Sequence, residues 1–184
     1  SIDMSNTYGV GVRLIQGVDV VYGYTNDTSF ESIQSVIQGL IPSFDGPAST
    51  AKPIGEAQPY SNTIKKPPRS VSSKEKADKL VALSNQIKAY DERIIQAVTQ
   101  LLQTEQQILV VNSEGIYQDD VRVYSRVILM AVAQENGVMQ QAFEGPGRFM
   151  GVEIFDEIDM EPLANEAAQS AIKLGMYDEA SIAL

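Results

Sequence analysis

The sequence predicts an α+β fold with curved antiparallel sheets, helices packed on one face and a long proline-rich loop. Three observations support this prediction. Alternating apolar residues occur near the start of the chain and again from residue 107 to residue 144. Amphipathic helical patterns lie between and after these blocks, and prolines are concentrated between residues 43 and 70. Alternation with a period of two is typical of half-buried strands, and a period of 3.6 is typical of helices.

The first 24 residues are predicted to form a β-hairpin. Arg13 lies on one face of its first strand, and the opposite face carries Val10, Val12 and Leu14. Gly17 interrupts the alternation, which then resumes through Tyr24. Gly9 and Gly11 inside the strand indicate a bulge or the close approach of another backbone.

The next segment has the pattern of an amphipathic helix that ends before Pro42. Thr28 and Glu31 have the spacing of a capping box. Its predicted apolar face consists of Phe30, Ile33, Val36, Ile37, Leu40 and Ile41.

A second helix is predicted after the proline-rich loop of residues 43–70. Ser72 and Glu75 have the capping-box spacing there. Its predicted buried side consists of Ala77, Leu80, Val81, Ser84 and Ile87.

Residues 91–102, "DERIIQAVTQLL", fit two patterns. A helical period is satisfied by Ile94, Ile95, Val98 and Leu101, whereas Ile95 and Leu101 also belong to a strand-like alternation. The pattern alone slightly favours a helix.

From residue 107 the chain is predicted to be β again. "ILVV" is read as a buried strand that leads into a turn at Asn112–Gly115, and Asn136-Gly137 predicts a second hairpin turn. In the long strand between these turns, one face carries Arg122, Tyr124 and Arg126, and the other carries Val123, Ser125 and Val127. A sheet with one solvated or ligand-facing side has this composition.

Glycine is unusually dense after this hairpin, in "EGPGRFMG". Gly145, Pro146, Gly147 and Gly151 lie within seven residues and predict a tight connection between two strands. A last helix follows, with Asp159 as its cap, Pro162 in its first turn and Gly175 as its stop. Its predicted buried side consists of Leu163, Ala167, Ala168, Ala171, Ile172 and Leu174.

Composition excludes several kinds of chemistry. The 184 residues contain no His and no Cys, which rules out histidine-based triads and thiolate sites within them. Carboxylate chemistry and binding of hard metals remain available. The net charge of -10 disfavours a nucleic-acid partner, because such proteins neutralise phosphates with Lys and Arg. No apolar run approaches the roughly 18 residues of a membrane span.

Three charged groups are weak candidates for a site. The acidic cluster could bind a divalent cation, but structural or solvated roles are favoured; its members are Glu153, Asp156, Glu157, Asp159 and Glu161. The basic cluster Lys65, Lys66 and Arg69 is read as part of a solvated loop. Asp119 and Asp120 are adjacent and would point to opposite faces of a strand.

The glycines of "GVGVRLIQG" lie inside a strand, which disfavours a dinucleotide site.

Three stretches together resemble the N-terminal part of the TldD/PmbA family, the "modulator of DNA gyrase" metallopeptidases. They are "YGVGVRLIQGVDVVYGYTND", "ILVVNSEGIYQDDVRVYSRVILMAVAQENGVMQQAFEGPG" and "LANEAAQSAIKLG". The resemblance lies in their order and spacing over most of the chain. It implies that residues 93–111 form strands and that Gly145-Pro146-Gly147 is the family's turn after its long hairpin.

The resemblance also implies a function. Family members hold zinc through an HExxxH motif in a catalytic domain, and this chain has no His to supply it. We therefore expect a non-catalytic piece of a larger cytoplasmic metallopeptidase that forms part of a cleft for unfolded peptides and part of a dimer interface. The dimer would be a homodimer or a heterodimer with a family paralogue. The candidate peptide-binding residues are Val10, Val12, Arg13, Arg122, Tyr124 and Arg126.

The alternative is a stand-alone protein-interaction module without enzymatic activity. A reading frame that continues beyond Leu184 into a His-containing helix would favour the peptidase, and a stop codon there would favour the module.

Overall fold

The computed structural model describes residues 3–47, 49–56, 58–59 and 64–182, with backbone alone at 58–59 and 175–182. The chain divides into two compact units, Ser1–Thr50 and Ala51–Leu184.

The first unit begins with the predicted hairpin. Strands β1 (Val10–Gln16) and β2 (Asp19–Thr25) are antiparallel, with Val10 opposite Thr25. Gly17 has a φ of 62° in the turn, a conformation that favours glycine. The hairpin prediction is therefore confirmed, although the strands begin later than the start of the predicted β region.

Neither the predicted bulge nor the approach of another backbone accounts for Gly11 of β1, and Gly9 lies before the strand. The register of β1 and β2 is continuous throughout. A Cβ on Gly11 would lie 2.6 Å from the Oη of Tyr22, so the Tyr22 ring occupies the space that a side chain at this position would need.

Helix α1 (Phe30–Leu40) follows β2 and begins one residue later than the predicted cap implies. Ser29 has extended dihedrals (φ -64°, ψ 150°), and its side chain accepts the backbone N–H of Ser32. The predicted capping box of Thr28 and Glu31 is therefore wrong, because the chain is still extended at the residue after Thr28.

Helix α1 packs against the hairpin through part of its predicted apolar face. A Cβ on Gly23 of β2 would lie 2.8 Å from Cγ1 of Val36 and 3.4 Å from Cδ1 of Leu40. Phe30 and Ile41 were predicted to be buried, but they are 73% and 55% exposed because they lie at the two ends of the contact.

The second unit is built on one sheet with a long central strand. Its strands are β3 (Gln58–Pro59), β4 (Ile94–Val111), β5 (Tyr117–Glu135), β6 (Val138–Glu144) and β7 (Gly147–Arg148). β4 pairs with β5 along one side. On the other side β5 pairs with the parallel β3 and with the antiparallel β7 and β6, in that order along its length.

The helical preference of residues 91–102 is wrong, and the strand that the resemblance implied is correct. β4 runs from Ile94 to Val111. It is held by pairing with a distant segment, for example Val98 opposite Met130 and Leu101 opposite Val127. Such pairs are set by the fold, and the residues of β4 taken alone fit a helical period as well as a strand-like one.

Both predicted turns of this sheet are confirmed. The Asn112 turn joins β4 to β5, and Gly115 in it has a φ of 87°. The Asn112 side chain accepts the backbone N–H of Ile116 at 3.0 Å. Asn136 and Gly137 have φ values of 50° and 84°, as a two-residue hairpin loop requires.

Three helices pack on one face of the sheet, as predicted. They are α2 (Ser73–Ala89), α3 (Ile154–Glu157) and α4 (Met160–Ile182). The core between helices and sheet contains Leu83, Ile87, Ile94, Val127, Leu129, Ala131, Ala133, Ile154, Met160, Ala164, Ala168, Ala171 and Ile172. The α+β class with helices on one sheet face is thus confirmed.

The predicted cap of α2 is confirmed, but its buried side is rotated. Ser72 accepts the backbone N–H of Glu75 at 3.2 Å. Ile87 is fully buried as predicted, whereas Val81 is 56% exposed and Leu83 takes its place in the core.

The start of α4 is confirmed and its predicted end is wrong. Asp159 Oδ1 accepts the backbone N–H of Glu161 at 3.2 Å. The helix continues through Gly175 to Ile182, because a helix tolerates a single glycine at a cost of about 1 kcal/mol. Leu174, predicted to be buried, is 46% exposed.

The "ILVV" segment of β4 was predicted to be buried, but it is largely exposed. Leu109 is 58% exposed, and Val110 and Val111 are each 47% exposed. The buried residues of β5 begin at Asp120 and lie mainly between Val123 and Ala133. The core therefore covers less of the hairpin near the Asn112 turn, where the "ILVV" segment lies.

Candidate peptide-binding face

The outer face of β5 carries the predicted polar residues. Arg122, Tyr124 and Arg126 alternate with Val123 and Ser125, which are 2% and 0% exposed. The structure therefore brings Arg122, Tyr124 and Arg126 together on the face opposite the helices. Each of these three side chains contacts another residue of the chain, which restricts its contact with a ligand.

Arg122 is held by a neighbour on the same strand face. Its Nε donates to Oδ2 of Asp120 at 2.6 Å. Asp120 is only 6% exposed, whereas Asp119 is exposed, so the two carboxylates do point to opposite faces. In the described part of the chain, Oδ1 of Asp120 is a buried side-chain oxygen without a hydrogen-bond partner. The Arg122 side chain is 53% exposed and can still contact a ligand.

The side chains of Tyr124 and Arg126 contact the glycine-rich turn, which lies beside β5 in the sheet. Tyr124 packs edge-to-face on Phe149, with ring centroids 5.4 Å apart. Arg126 Nε donates to the carbonyl of Gly145 at 3.1 Å. A Cβ on Gly145 would lie 2.6 Å from the Arg126 guanidinium, and one on Gly147 would overlap the Tyr124 hydroxyl.

These contacts explain the density of glycine after the hairpin. β6 ends at Glu144 and β7 begins at Gly147, so the predicted tight connection between two strands is confirmed. The Pro146 carbonyl accepts the backbone N–H of Val127 at 2.9 Å. The turn therefore continues the sheet beside β5, and side chains on Gly145 and Gly147 would collide with the side chains of Arg126 and Tyr124.

The candidates on β1 are divided between its two faces. Val10 and Val12 are half-buried, and Val12 is paired with Gly23, the residue that contacts α1. Arg13 is exposed on the opposite face, with its guanidinium carbon 5.9 Å from the centre of the Tyr22 ring. Of these three side chains, Arg13 is the exposed one and can contact a ligand on its own face of the hairpin.

The structure joins two charged clusters that the sequence presents separately. Glu153 is 3% exposed, and its two carboxylate oxygens accept the backbone N–H groups of Lys65 and Lys66 at 3.0 and 2.9 Å. Burial by itself raises the pKa of Glu153, but hydrogen bonds from backbone N–H groups outweigh it and leave the pKa below its usual value.

The side chains of these lysines are paired as well. Lys65 binds Glu157, and Lys66 Nζ lies 2.7 Å from Oδ2 of Asp156. These bonds and the attraction of the partner charges raise the pKa of both lysines. The side chains of Lys65 and Lys66 are exposed, as the solvated-loop interpretation predicts, and each also pairs with an acid of the same chain. The structural interpretation of the acidic cluster is correct for Glu153, Asp156 and Glu157.

The described residues of this chain do not fit a zinc site. The chain has no His or Cys, and the described residues contain no group of three or more acidic side chains placed to hold a metal. The buried carboxylate of Glu153 is already saturated by backbone donors.

A polar chain that the sequence did not reveal crosses the helix side of the sheet. Lys76 Nζ donates to Oε1 of Gln103 at 2.9 Å and to the carbonyl of Pro68 at 2.5 Å. Gln103 Nε2 lies 3.0 Å from the hydroxyl oxygen of Ser125, which is fully buried. Burial lowers the pKa of Lys76. The alternation of β4 is consistent with Gln103 on the helix side of the sheet, but no sequence pattern predicts its contacts with Lys76 and Ser125.

A groove of about 1160 Å³ lies between α2 and the α3–α4 segment. Leu83 and Phe155 line it. Its cation, Lys79, lies 5.7 Å from the centre of the Phe155 ring and 3.8 Å from Asp156. The positive charge that lines the groove thus already interacts with Phe155 and Asp156 of the same chain.

The fold described above is that of an α+β domain. Residues 66–174 match the profile described as the PmbA/TldA metallopeptidase central domain. This match covers more than half of the chain, and the chain belongs to the PmbA/TldD family. The profile describes a central domain, whereas the resemblance implied an N-terminal part.

Two curated relatives are named as metalloprotease TldD homologues. The metalloprotease TldD homologue of Haemophilus influenzae is 22% identical over 180 residues, covering 95% of this chain and 37% of its own length. The homologue of Buchnera aphidicola from Acyrthosiphon pisum is also 22% identical over 180 residues, covering 94% of this chain and 37% of its own length. The chain thus spans 37% of the length of either relative.

Two solved structures have the same fold. A Thermotoga maritima protein described as a candidate modulator of a DNA gyrase superposes with a TM-score of 0.65 and 14% identity, over 90% of this chain and 37% of that chain. A Bacteroides thetaiotaomicron protein of similar description superposes with a TM-score of 0.64 and 13% identity, over 89% and 39%. Within the described residues, no helix is both long enough and apolar enough to cross a bilayer.

Proposed function

We propose that this chain is a non-catalytic region of a TldD/PmbA-like zinc metallopeptidase, where it forms one wall of the substrate-peptide cleft and part of a dimer interface. The observation that carries the proposal is the family match over residues 66–174 in a chain without His or Cys. Zinc-assisted hydrolysis needs ligands such as imidazole, which other polypeptide must supply. The parent protein would act in the cytoplasm.

The candidate wall is the outer face of β5. It is a sheet face that the helices leave open, and it presents the half-exposed guanidinium of Arg122 beside the ring of Tyr124. An extended peptide would lie across this face through contacts with the side chains, since backbone pairing requires an unpaired sheet edge. Arg122 would then attract carboxylates of the peptide, while Tyr124 would provide apolar contact.

Two measurements test this function. The 184-residue chain with added zinc should not cleave a fluorogenic unfolded peptide, and cleavage would contradict the non-catalytic role. The chain should bind a fluorescein-labelled unfolded acidic peptide in an anisotropy titration. The Arg122→Ala variant should bind it several-fold more weakly, since an ionic contact on an open face contributes roughly 1 kcal/mol or less.

Lys88→Ala provides the matched control. Lys88 is an exposed cation near the end of α2, so its removal changes the net charge equally without touching the β5 face. Equal losses in the two variants would show that the peptide responds to net charge only, and the proposed wall would be rejected.

A further inference from the structure

Asp120 is an unusual residue on the outer face of β5. It is 6% exposed, although the side chain of Arg122, its neighbour on the same face, is 53% exposed. Oδ2 of Asp120 accepts the Nε–H of Arg122 at 2.6 Å, and within the described residues Oδ1 has no hydrogen-bond partner. A buried polar atom without a partner costs free energy and is uncommon in native proteins. The burial of Asp120 is therefore poorly explained by stability alone.

The contact between Asp120 and Arg122 has an effect on orientation that exceeds its effect on stability. A buried acid loses its hydration, and one bond to an arginine that lies half in water compensates for this loss only in part. The bond is charge-assisted, however, and such bonds are short and directional. Its main physical effect is therefore to fix the plane of the Arg122 guanidinium.

Arg122 keeps donors for a ligand while Asp120 holds it. The contact with Asp120 uses Nε, and the guanidinium carries further N–H donors on its two Nη nitrogens. The residue opposite Arg122 on β4 is Gln106, which is uncharged, and in the described part of the chain Asp120 is the ion-pair partner of Arg122. An arginine held at one edge presents its other edge to a second carboxylate in a fixed geometry.

We propose that Asp120 is a positioning residue for peptide binding: its buried carboxylate holds Nε of Arg122 and directs the Nη groups toward a carboxylate of the bound peptide. This inference rests on the peptide wall of the proposed function. It names the class of peptide that the wall prefers, which is acidic, and the residue that sets this preference. Asp120 is too buried to contact the peptide and acts through Arg122.

Positioning and simple electrostatics predict opposite effects when this acid is neutralised. The negative charge of Asp120 repels peptide carboxylates and offsets the charge of Arg122, so by charge alone Asp120→Asn should strengthen binding of an acidic peptide. Positioning predicts weaker binding, because a neutral amide oxygen holds Nε less firmly than a carboxylate does. Asparagine has nearly the same shape as aspartate, so the packing at this position is kept.

An anisotropy titration of the 184-residue chain with a fluorescein-labelled unfolded acidic peptide tests the proposal. Asp120→Asn should raise the Kd about two- to fivefold, the range of an ionic contact on an open face. In the Arg122→Ala background the same change should cause no further loss. A second peptide with Gln in place of each Glu should bind the wild type and Asp120→Asn equally well, whereas damage to the fold would weaken the binding of both peptides.

Asp119→Asn is the matched control for charge. It removes the same charge one residue away, from an exposed side chain on the opposite face of β5, and should not weaken binding of the acidic peptide. Arg122→Lys is a second variant, which leaves Asp120 in place. It keeps the positive charge but lacks Nε and the planar guanidinium, so it should also lose affinity for the acidic peptide.

Several results would overturn the proposal. They are unchanged or tighter binding by Asp120→Asn, an equal loss for the two peptides, an equal loss in Asp119→Asn, a further loss in the Arg122→Ala background, and wild-type affinity in Arg122→Lys.

Failure of the peptide wall itself gives a different result. A wild-type chain that does not bind the acidic peptide, or an Arg122→Ala variant that binds it as well as the wild type, rejects the wall and the positioning role together. A loss in Arg122→Ala with full affinity in Asp120→Asn keeps the wall and rejects the positioning role alone.

Discussion

The carboxylate of Glu153 accepts the backbone N–H of Lys66 at 2.9 Å, across 87 residues of sequence. The backbone of the same segment completes the contact, because Val152 N–H donates to the carbonyl of Lys66 at 2.8 Å. The end of the proline-rich loop is thus fastened to the start of α3 by a buried acid and a backbone bond. We call this contact the Glu153 clamp.

Replacing the acid of the clamp should destabilise the protein. Glu153→Gln keeps the shape of the side chain but turns an amide NH₂ toward a backbone N–H, so one donor loses its acceptor. We expect a loss of roughly 1–3 kcal/mol in the free energy of unfolding, measured by urea denaturation. Glu157→Gln, which removes a partly exposed acid in the same cluster, is the control and should have a clearly smaller effect. Equal effects would show that the clamp adds nothing beyond surface charge.

Stability should fall in acid. The hydrogen bond from the Arg93 side chain and the Arg93 backbone N–H lower the pKa of Asp91 to about 2, and the pKa values of Glu153 and Asp156 are lowered as well. A carboxyl with a lowered folded pKa stabilises the protein above its unfolded pKa, and this contribution is lost as the pH falls through the folded pKa. The urea midpoint should therefore decrease from about pH 5 toward pH 2. Glu153→Gln should flatten this dependence, and an unchanged slope would refute the role of Glu153.

Gly151 should not tolerate a side chain. A Cβ there would overlap the carbonyl oxygen of Lys66, which is backbone and cannot move aside alone, and would lie 2.8 Å from Oε2 of Glu153. Gly151→Ala should thus lower the melting temperature and open the clamp. Gly39→Ala is the matched control, since nothing lies within 4 Å of its Cβ inside helix α1. That change should stabilise the protein by roughly 0.5–1 kcal/mol, because alanine favours helices over glycine. The same loss in both variants would contradict the packing seen at Gly151.

Substitutions at the centre of the second unit's core should lower the free energy of unfolding strongly. Leu129 is fully buried between the sheet and the helices, so Leu129→Ala should cost roughly 2–5 kcal/mol through lost burial and a residual cavity. Leu102→Ala makes the same chemical change at a site that is 50% exposed, and should cost much less as measured by urea denaturation. A small loss at Leu129 would mean that the sheet and helices are not packed as described.

Local signals in the sequence were sufficient for much of the fold. The Ser72 cap, the Asn136-Gly137 turn and the alternation of Arg122, Tyr124 and Arg126 each depend on neighbours a few residues away, and each was predicted correctly. The Ser29 cap differed by one residue because Thr28 and Ser29 have similar capping chemistry.

Contacts between distant segments could not be predicted. The residues of β4 fit both periods, and only pairing with β5 decides between them. The partnership of Lys65 and Lys66 with Glu153, Asp156 and Glu157 spans about ninety residues, so each cluster alone looked like a solvated surface. The burial of Asp120 likewise follows from tertiary packing and has no signal in its neighbours. The peptide-binding role of the β5 face and of Arg13 remains a prediction.

The clamp also has a consequence for the order of folding. Residues of the β4–β5 hairpin meet progressively from the Asn112 turn outward, so that ladder can form early at low entropic cost. The Glu153 contact closes a loop of 87 residues and has no comparable local start. If it forms after the rate-limiting step, its removal will shorten the lifetime of the native state and leave the refolding rate nearly unchanged. In that case the Glu153 contact forms after the sheet has assembled and slows its unfolding.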